Sequence, residues 1–338
     1  MQSEAGGGQE KIAIIGAGSW GATLANLFAR NGKTVSLWSH TPGKAEKLRV
    51  TRVLEKPFKV EFPENLAITG NLDEALSGAP VILLCCPAQA MREVAGRLAG
   101  HVDEAAGPVL VSAAKGLELH TFKRMTEVLR ETLPELPRCS LSGPNLAKEV
   151  LLNMPSAAVV SCENSNVAHR VQQMLSVSTF RVYTNDDVVG VELGGALKNV
   201  VAIAAGAVNG LKLGDNAKAA LLTRGLAEMT RLAVSLGARP TTLMGLSGMG
   251  DLVATCYSSL SRNYSLGFDM AQGVSFQEAQ ARAGAVVEGV TTTYAVCELS
   301  SKLSIEMPIA EQVAAALRGE TTPKGAIMTL MARPLSSE

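Results

Sequence analysis

Short apolar runs alternate with amphipathic stretches along the first half of the chain. Apolar runs occupy residues 11–15, 34–38, 67–69, 81–86 and 109–112, and stretches with helical spacing, such as 22–30, 88–98 and 121–132, lie between them. Continuous apolar runs are typical of strands buried on both faces, and their alternation with helices is typical of a parallel sheet. The pattern predicts an α/β domain of the Rossmann type with a doubly wound parallel sheet.

The second half of the chain has a different periodicity. Leu226, Met229, Leu232 and Leu236 recur at spacings of three and four residues, as on the buried face of a helix. Two further apolar runs precede this region and are expected to close the sheet, at residues 157–161 and 180–183. The predicted organisation is a disordered leader (1–10), a sheet domain (11–185), an all-α C-terminal domain (186–333) and a short tail (334–338).

A glycine-rich turn follows the first apolar run. The segment Gly16-Ala-Gly18-Ser-Trp-Gly21 has the spacing G-x-G-x-x-G and leads into a helical pattern. In this context Gly16 makes the tight turn, Gly18 lets the backbone approach a pyrophosphate, and Gly21 lets the helix pack closely on the strand. The segment predicts a dinucleotide-binding site at the start of the sheet domain.

The tip of the second predicted strand indicates which dinucleotide is accepted. An Asp or Glu at this position usually holds the ribose 2′-hydroxyl of NAD, but this chain has Ser39-His40-Thr41. Without a carboxylate there, a 2′-phosphate meets less repulsion, and His40 or Lys44 could contact it. We therefore expect NADPH to be accepted at least as well as NADH.

Composition and charge exclude several classes of protein. The 338 residues include 31 basic and 31 acidic side chains, so nothing attracts the chain as a whole to nucleic acid or to an anionic membrane. The six cysteines form no C-x-x-C pair and the four histidines lack metal-ligand spacing, which predicts reduced thiols and no zinc site. The leader lacks the pattern of a signal peptide, and the apolar stretch ending at Asn209 is shorter than a bilayer requires. A cytoplasmic protein without membrane insertion is expected.

One lysine interrupts an apolar stretch of small residues in the predicted helical domain. Lys198 and Asn199 lie between Leu-Gly-Gly-Ala-Leu and Val-Val-Ala-Ile-Ala-Ala. A buried ammonium group is costly unless it is paired or its pKa falls from about 10.4, and a lysine with a lowered pKa can donate a proton at neutral pH. Lys198 is therefore a candidate acid/base. The alternative is a lysine on a solvated edge of the helix.

Three other segments supply polar side chains that could act together with Lys198. Lys115 follows the fifth predicted strand, on the loop above the sheet, and Asp251 is the fixed charge of a glycine-rich loop. Ser261-Arg262-Asn263 is typical of a helix start, where a serine cap, a guanidinium group and free N–H groups would bind a phosphate. Taken singly, each could be an ordinary surface feature. Together with a dinucleotide site they suit hydride transfer to a small phosphorylated carbonyl compound.

The ordered set of these segments resembles the bacterial type of NAD(P)-dependent glycerol-3-phosphate dehydrogenase over nearly the whole chain. The resemblance is carried by the motifs Gly16-Ala-Gly-Ser-Trp-Gly21, Ala114-Lys-Gly-Leu-Glu118, Gly143-Pro-Asn-Leu-Ala147, Glu192-Leu-Gly-Gly-Ala-Leu-Lys-Asn199, Gly248-Met-Gly-Asp-Leu252, Ser261-Arg-Asn263 and Val287-Glu-Gly289. The first motif is generic to dinucleotide enzymes, whereas the ordered set is specific. The resemblance implies a Rossmann-type domain followed by a 6-phosphogluconate-dehydrogenase-like helical domain.

The resemblance also implies a reaction, the reduction of dihydroxyacetone phosphate to sn-glycerol 3-phosphate, which feeds glycerophospholipid synthesis. Lys198 would supply a proton to the carbonyl oxygen while nicotinamide delivers hydride. Lys115 would bind the substrate beside the nicotinamide, and Asp251 would orient Lys198 or a substrate hydroxyl. Further implied substrate contacts are the phosphate-holding Ser261, Arg262 and Asn263, the pocket-lining Gly143 and Asn145, and the supporting Asn199.

The cofactor is expected to touch both domains. The expected contacts are Gly16, Gly18, Ser19, Trp20, Gly21, His40, Lys115, Ala147, Arg262, Val286 and Glu288. Val286 and Glu288 would reach over from the helical domain and close the cleft. The resemblance further implies a homodimer formed through the helical domain. Bacterial members usually have Ser-Phe after the Gly-Pro, whereas this chain has Asn145-Leu146, nearer the Asn of eukaryotic relatives.

Two other functions share parts of this pattern. A 3-hydroxyacid or ketopantoate-type reductase has the same two-domain plan and a lysine on the interdomain helix, but its substrates carry a carboxylate and no phosphate. A dinucleotide-sensing module would bind NADPH without turnover. The intact set of Lys115, Lys198 and Asp251 argues against the sensor.

Overall fold

The computed structural model describes residues 11–334, so the predicted leader and nearly all of the predicted tail lie outside the described residues. The strands are β1 (Lys11–Ile15), β2 (Thr34–Trp38), β3 (Val53–Leu54), β4 (Val60–Glu61), β5 (Ala67–Thr69), β6 (Val81–Leu84), β7 (Val109–Ser112), β8 (Arg138–Ser142), β9 (Ser156–Ser161) and β10 (Phe180–Asn185). The helices of the first half are α1 (Ser19–Arg30), α2 (Pro42–Thr51), α3 (Leu72–Leu76), α4 (Met91–Leu98), α5 (Met125–Thr132), α6 (Ala147–Leu151) and α7 (Ser165–Leu175).

Helices alone follow β10 in the described part of the chain, as the periodicity predicted. They are α8 (Val188–Gly210), α9 (Gly214–Ser235), α10 (Pro240–Leu243), α11 (Asp251–Tyr257), α12 (Arg262–Ala271), α13 (Phe276–Arg282), α14 (Glu288–Leu303), α15 (Pro308–Leu317) and α16 (Pro323–Met331). The stripe that was predicted to be core does face inward, since Met229 and Leu232 are buried and Leu226 and Leu236 pack against the same cluster.

Eight strands form one sheet in the order β10-β9-β8-β7-β6-β1-β2-β5. The strands from β8 to β5 in this order are mutually parallel, which confirms the predicted doubly wound core. The last two strands correct that prediction, because β9 pairs antiparallel with β8 and β10 follows β9 in direction. The connection from β8 to β9 holds only the five-residue α6. A parallel β9 would need a crossover helix that returns the chain along the whole strand, a distance of about 17 Å. A five-residue helix spans only about 7.5 Å, so β9 runs antiparallel instead.

Local differences from the sequence prediction are small. Strand β6 ends at Leu84 rather than at residue 86, so the partly buried Cys85 and Cys86 follow the strand instead of belonging to it. The helix expected from residue 121 begins at Met125. The short antiparallel pair β3–β4 was not predicted.

The core lies on both faces of the sheet and between the C-terminal helices. Along β1, Ile12 and Ile14 belong to one apolar cluster while Ala13 and Ile15 belong to another on the opposite face. This double burial explains why the strands appear in the sequence as continuous apolar runs. A third cluster, centred on α8, forms the core of the helical region.

Helix α8 is the central element of the second half. Its 23 residues are as long and apolar as a membrane span, and 89% of its most apolar window is buried inside the protein. The expectation that this segment is too short to cross a bilayer was therefore wrong about its length, because the apolar pattern begins ten residues before Lys198. Its apolar surface is covered by the neighbouring helices α9, α11, α12 and α14.

Candidate active site

The glycine turn between β1 and α1 has the geometry that a dinucleotide phosphate needs. A Cβ on Gly21 would lie 2.0 Å from the carbonyl oxygen of Gly16, so only glycine lets α1 approach the turn. A Cβ on Gly18 would meet nothing within 4 Å, which leaves open space in front of the helix. Within the described residues no side chain caps α1, so its first N–H groups, from Ser19 onward, are available to an anion. These features fit a pyrophosphate.

The tip of β2 and the start of α2 carry polar and cationic side chains near that turn. His40 is exposed, and its Nε2 lies 3.0 Å from the hydroxyl of Thr41. Lys44 Nζ donates a hydrogen bond of 2.8 Å to the carbonyl oxygen of Ala17 in the glycine turn. Burial lowers the pKa of Lys44. Lys44 thus lies against the dinucleotide turn.

Lys115, Lys198 and Asp251 form one cluster between the sheet and the helical region. Lys198 Nζ lies 2.9 Å from Asp251 Oδ1, and Lys115 Nζ lies 2.6 Å from Asp251 Oδ2. Lys198 and Asp251 are 7% and 1% exposed, so the solvated-edge interpretation of Lys198 was wrong. Two ammonium groups share a single carboxylate, and the cluster retains one positive charge when all three groups are ionised.

Each member of this cluster comes from a different element. Lys115 follows β7, Lys198 lies in the middle of α8, and Asp251 is the first residue of α11. The glycine-rich segment before Asp251, expected to be a loop, is a π-helical turn over Leu246–Gly250 that continues into α11. Such turns are frequent at functional sites because they redirect side chains of a helix.

Gly195 explains how α8 comes close enough to the sheet to complete the cluster. A Cβ at this position would lie 2.5 Å from Ser142 Oγ and 3.5 Å from Lys115 Cγ. Glycine therefore lets the helix lie directly on the carboxyl end of β8. Ser142 Oγ is buried and has no hydrogen-bond partner among the described residues, so a polar donor or acceptor beside Lys115 is left unused.

The electrostatics of the cluster follow from burial and from the mutual distances. Burial lowers the pKa of Lys115 to about 8; Asp251 opposes this shift and Lys198 adds to it. Burial alone would raise the pKa of Asp251, but the charges of the two lysines and their hydrogen bonds outweigh it and lower that pKa. The carboxylate of Asp251 therefore stays ionised, while the ammonium group of Lys115 can lose its proton near pH 8.

Thr255 completes the cluster and was missed in the sequence. Its hydroxyl accepts a hydrogen bond of 2.6 Å from Lys198 Nζ and donates one of 3.2 Å to Asp251 Oδ1. It is 3% exposed. Asp251 and Thr255 are four residues apart on α11 and so share one helix face. That spacing was a usable signal, but it has meaning only once Asp251 is known to begin a helix.

A second polar group lies next to Lys198 on α8. Asn263 Nδ2 donates to Asn199 Oδ1 at 2.8 Å, and Asn263 Oδ1 accepts from the backbone N–H of Gly289 at 2.9 Å. Both asparagines are buried. Ser261 caps α12 by accepting from the N–H of Tyr264, which confirms the predicted helix start. The asparagine contacts bring α8, α12 and α14 together beside the lysine cluster.

The residues at the start of α14 contact α12 on one side and the sheet domain on the other. The guanidinium group of Arg262, an exposed side chain, donates to the carbonyl oxygen of Val286. Glu288 Oε1 accepts from the N–H of Ala88, just after β6, at 3.3 Å. Glu288 Oε2 is buried without a partner among the described residues, and a Cβ on Gly116 would lie 3.5 Å from it. Burial raises the pKa of this carboxyl group. Glu288 therefore spans the cleft with one unused oxygen.

The Gly-Pro turn after β8 is tied both to the cluster and to β9. Gly143 has a φ of 138°, and its carbonyl oxygen accepts a hydrogen bond of 2.8 Å from Lys115 Nζ. Asn145 Nδ2 donates to the carbonyl oxygen of Ala157 at 2.9 Å, at the start of β9. Ala147 begins α6, which contacts α1 behind the glycine turn. The reversed direction of β9 thus brings its first residues to the functional edge of the sheet.

A dinucleotide turn, an interdomain cleft and a buried lysine–carboxylate–lysine cluster define a two-domain NAD(P)-dependent dehydrogenase. Family models described as the N-terminus and the C-terminus of NAD-dependent glycerol-3-phosphate dehydrogenase match residues 11–168 and 187–328. The chain belongs to the NAD-dependent glycerol-3-phosphate dehydrogenase family. This confirms the family that the motifs indicated, its dehydrogenase class and its NAD(P) cofactor.

Individual relatives extend the likeness over the full length. The chain is 47% identical over 334 residues to glycerol-3-phosphate dehydrogenase (NAD(P)+) of Geobacter sulfurreducens, covering 97% of this chain and 99% of the relative. It superposes on the crystal structure of the Coxiella burnetii glycerol-3-phosphate dehydrogenase with a TM-score of 0.90 at 40% identity, covering 96% of this chain and 99% of the other. A ketopantoate reductase from Ralstonia eutropha, at 15% identity and a TM-score of 0.58, shares the fold alone.

Proposed function

We propose that the enzyme reversibly reduces dihydroxyacetone phosphate to sn-glycerol 3-phosphate at the cleft between the sheet and α8. The observation that carries this proposal is the cluster in which Lys115 and Lys198 share the buried carboxylate of Asp251. Its net positive charge attracts an anionic substrate, and its buried ammonium groups can exchange a proton with a carbonyl oxygen. When bound, the nicotinamide supplies the hydride.

In this proposal Lys198 is the acid/base. Its ammonium group is oriented by Asp251 and by Thr255, so that one N–H bond remains for the substrate oxygen after two are used. Lys115 donates to the carbonyl of Gly143 and to Asp251, and it likewise keeps one N–H bond. The two free N–H bonds would bind the substrate oxygens, and Lys198 would transfer the proton.

The substrate phosphate is proposed to lie at the start of α12. Ser261 uses its oxygen to cap the helix but keeps its O–H for donation, and Arg262 supplies a fixed cation. Asn263 holds the amide of Asn199, leaving the Asn199 Nδ2 group to donate. Gly143 and Asn145 would line the opposite side of the pocket. The lysine–carboxylate cluster and the proposed phosphate site are then adjacent, because Lys198 belongs to the first and the neighbouring Asn199 to the second.

The cofactor is proposed to lie along the glycine turn and across the cleft. Gly16, Gly18 and Gly21 would admit the pyrophosphate, with Ser19 and Trp20 at the start of α1 and Ala147 on the neighbouring helix. The unpaired oxygen of Glu288 is suited to accept from a carboxamide, with Val286, Arg262 and Lys115 around it. The remaining proposed contact is His40. We expect NADPH to serve at least as well as NADH, because Lys44 lies against the turn and no carboxylate follows Trp38 directly.

The oligomeric state, location and metabolic use of the product are proposed from the resemblance to glycerol-3-phosphate dehydrogenases. A homodimer formed through the helical domain, a cytoplasmic location and use of the product in glycerophospholipid synthesis remain predictions. The proposed domain boundary lies between residues 185 and 186, and it is supported by the end of β10 at Asn185 and the start of α8 at Val188.

A substrate panel tests the reaction. Purified enzyme with NADPH should reduce dihydroxyacetone phosphate with a kcat/KM at least about 100-fold above that for dihydroxyacetone, because charge-assisted hydrogen bonds to a phosphate are each worth about 1.5–3 kcal/mol. Arg262→Ala should remove much of this discrimination, mainly through KM. Arg318→Ala, which alters an exposed arginine paired with Glu320, should leave it unchanged.

Other outcomes of the panel would redirect the assignment. Equal reduction of the phosphorylated and unphosphorylated ketones would mean that no phosphate site exists. Faster reduction of ketopantoate would favour a carboxylate substrate. NADPH binding by calorimetry without turnover of any carbonyl compound would favour the sensing module.

A further inference from the structure

Two cysteines lie directly opposite each other where β8 meets the reversed strand β9. In the antiparallel register Ser140 lies opposite Ser161, and Leu141 lies opposite Val160. Continuing this register by one residue places Cys139 opposite Cys162. The two cysteines are 0% and 4% exposed, and both are free thiols.

The hydrogen-bonding pattern fixes the type of pair. Leu110 N donates to Pro137 O at 2.9 Å, so the backbone groups of every second residue from Pro137, including Cys139, face β7. Cys162 N donates to Asn185 O at 3.2 Å, so its backbone groups face β10. Cys139 and Cys162 therefore form a non-hydrogen-bonded pair, in which the Cα atoms of opposite residues lie about 4.5 Å apart with their side chains on the same face. Protein disulfides span Cα distances of about 4.4–6.8 Å.

The two thiols also interact with each other. A hydrogen bond between them lowers the pKa of Cys162 and raises that of Cys139. Cys162 Sγ lies 3.4 Å from the carbonyl oxygen of Arg138. Cys162 is followed directly by the exposed Glu163, so it lies at the end of its strand, near the surface. Cys162 is thus the more reactive member, with Cys139 positioned as its partner.

We propose that Cys139 and Cys162 are a reversible redox site that forms a cross-strand disulfide when the enzyme meets a small peroxide. The thiolate of Cys162 attacks a peroxide oxygen, the O–O bond breaks, and an S–OH group forms as water or an alcohol leaves. The sulfur of Cys139 then attacks the Cys162 sulfur, the S–O bond breaks, and the S–S bond forms as a water molecule leaves. In total the two thiols lose two electrons and two protons, and the peroxide accepts the two electrons and the two protons as its O–O bond is reduced. A thiol reductant reverses the change by exchange.

The disulfide would close the segment that carries part of the proposed active site. Residues 140–161 lie between the two cysteines and include Gly143, Asn145 and Ala147. Joining the ends of this segment restricts the unfolded chain and stabilises the folded one. Because the cysteines lie at the end of the β8–β9 ladder away from Gly143 and Ala157, the bond forms without displacing the Lys115–Gly143 contact. Oxidation therefore makes this part of the sheet more resistant to unfolding and leaves the catalytic cluster in place.

Peptide mapping tests the proposal directly. Trypsin cleaves after Arg138, Lys148 and Arg170, so the two cysteines fall on separate peptides, 139–148 and 149–170. After brief treatment of the folded enzyme with hydrogen peroxide and alkylation, we expect these peptides to be joined and to separate again under reductant. The other cysteines, Cys85, Cys86, Cys256 and Cys297, should remain alkylated. The oxidised enzyme should have a higher Tm than the reduced enzyme, and the reductant should reverse the shift.

Matched variants decide what each thiol does. Cys139→Ala should lose the cross-link and the Tm shift, and it should accumulate a sulfenic acid on Cys162 that dimedone traps. Cys297→Ala, which removes a partly buried thiol on α14, should retain the cross-link. The proposal is overturned if both peptides stay alkylated after peroxide treatment. It is equally overturned if Cys162 oxidises further in the wild type while Cys139 remains a free thiol.

Discussion

Two buried carboxylates connect helix α8 to the sheet region, and they differ in how their charge is balanced. Glu192 accepts hydrogen bonds from the guanidinium of Arg124 at 2.8 Å and from the N–H and hydroxyl of Thr126 at 2.9 and 2.5 Å. Asp251 instead lies between Lys115 and Lys198. We call the first the Glu192 cluster and the second the Asp251 cluster. The carboxylate of the Glu192 cluster contacts one cationic side chain, whereas the carboxylate of the Asp251 cluster contacts two.

In the proposed function, this difference separates a structural contact from a reactive one. In the Glu192 cluster the charges of Glu192 and Arg124 cancel, each carboxylate oxygen of Glu192 accepts a hydrogen bond, and Arg124 also pairs with Glu127. The Asp251 cluster keeps one excess positive charge and unused N–H bonds in a largely water-free place. A buried charge without a partner is unfavourable, so the binding of an anionic substrate relieves an unfavourable state. In a chain of zero net charge, the proposed binding of an anion relies on this local excess of positive charge.

Replacing Lys198, the proposed acid/base, should produce the largest contrast between the two clusters. Lys198→Met keeps the length of the side chain but removes its proton, and it leaves Asp251 paired with Lys115 alone. We expect kcat to fall by a factor of about 100 to 10,000, the range for loss of a positioned acid or base. The dissociation constant for NADPH, measured by calorimetry, should change by less than about threefold. Near-normal turnover would remove Lys198 from the proposed role.

The matching change in the Glu192 cluster should affect stability instead of turnover. Glu192→Gln keeps the shape but leaves Arg124 without its buried anion, since the remaining partner of Arg124 is the more exposed Glu127 at 3.0 Å. We expect the free energy of unfolding in urea to fall by about 2–4 kcal/mol. Turnover at 25 °C should stay within about twofold of the wild type. A large fall in kcat without a loss of stability would show that the two clusters do not differ as described.

The pH dependence of kcat/KM should show that the Asp251 cluster differs from an ordinary ion pair. The pKa of Lys115 is about 8 in the folded enzyme and has a reference value of 10.5. Because Lys115 must be protonated to bind the phosphorylated ketone, kcat/KM for reduction should fall about tenfold per pH unit above about pH 8.

Stability should respond to pH in the opposite direction. Between about pH 8 and 10.5 the unfolded chain holds a proton on Lys115 that the folded enzyme has lost, so the contribution of Lys115 to the free energy of unfolding rises with pH in this window. Urea unfolding of the wild type and of Lys115→Met at several pH values isolates this contribution from that of other groups. A difference between them that does not change with pH would contradict the lowered pKa.

The sequence located the residues of the candidate site better than it located their contacts. The glycine turn, Lys198 and Lys115 were found because their signals are local: a fixed glycine spacing in one case, and a charge within or after an apolar run in the others. The role of Thr255 was missed because it depends on where α11 begins, and that start is set by the π-helical turn before Asp251. Side-chain partners four residues apart become visible only when the helix boundary is known.

The direction of β9 shows the same limit at the level of the fold. Its residues were recognised as a strand, but its reversal depends on the short α6 and on the pairing of Asn145 with the backbone of Ala157. The contact between Asn263 and Gly289 is likewise a relation between distant segments. Periodicity reports what one segment buries and not what lies opposite it. The fold class was therefore predictable, whereas the strand register that places Cys139 opposite Cys162 was not.

The smallest change offers the closest comparison of the two clusters, because each contains one threonine whose hydroxyl donates to the carboxylate. Thr255→Val removes the hydroxyl that accepts from Lys198 Nζ and donates to Asp251, while Thr126→Val removes the hydroxyl that donates to Glu192. For Thr255→Val we expect kcat to fall about tenfold with little change in KM, because a buried ammonium loses one of its fixed partners and with it part of its orientation. For Thr126→Val we expect unchanged kcat and a loss of about 1 kcal/mol in the free energy of unfolding.

Steady-state kinetics and urea unfolding of both variants give the comparison, and Thr255→Ser should restore most of the turnover. If the two valine variants had the same kinetic effect, orientation of Lys198 by Thr255 would not be part of the mechanism.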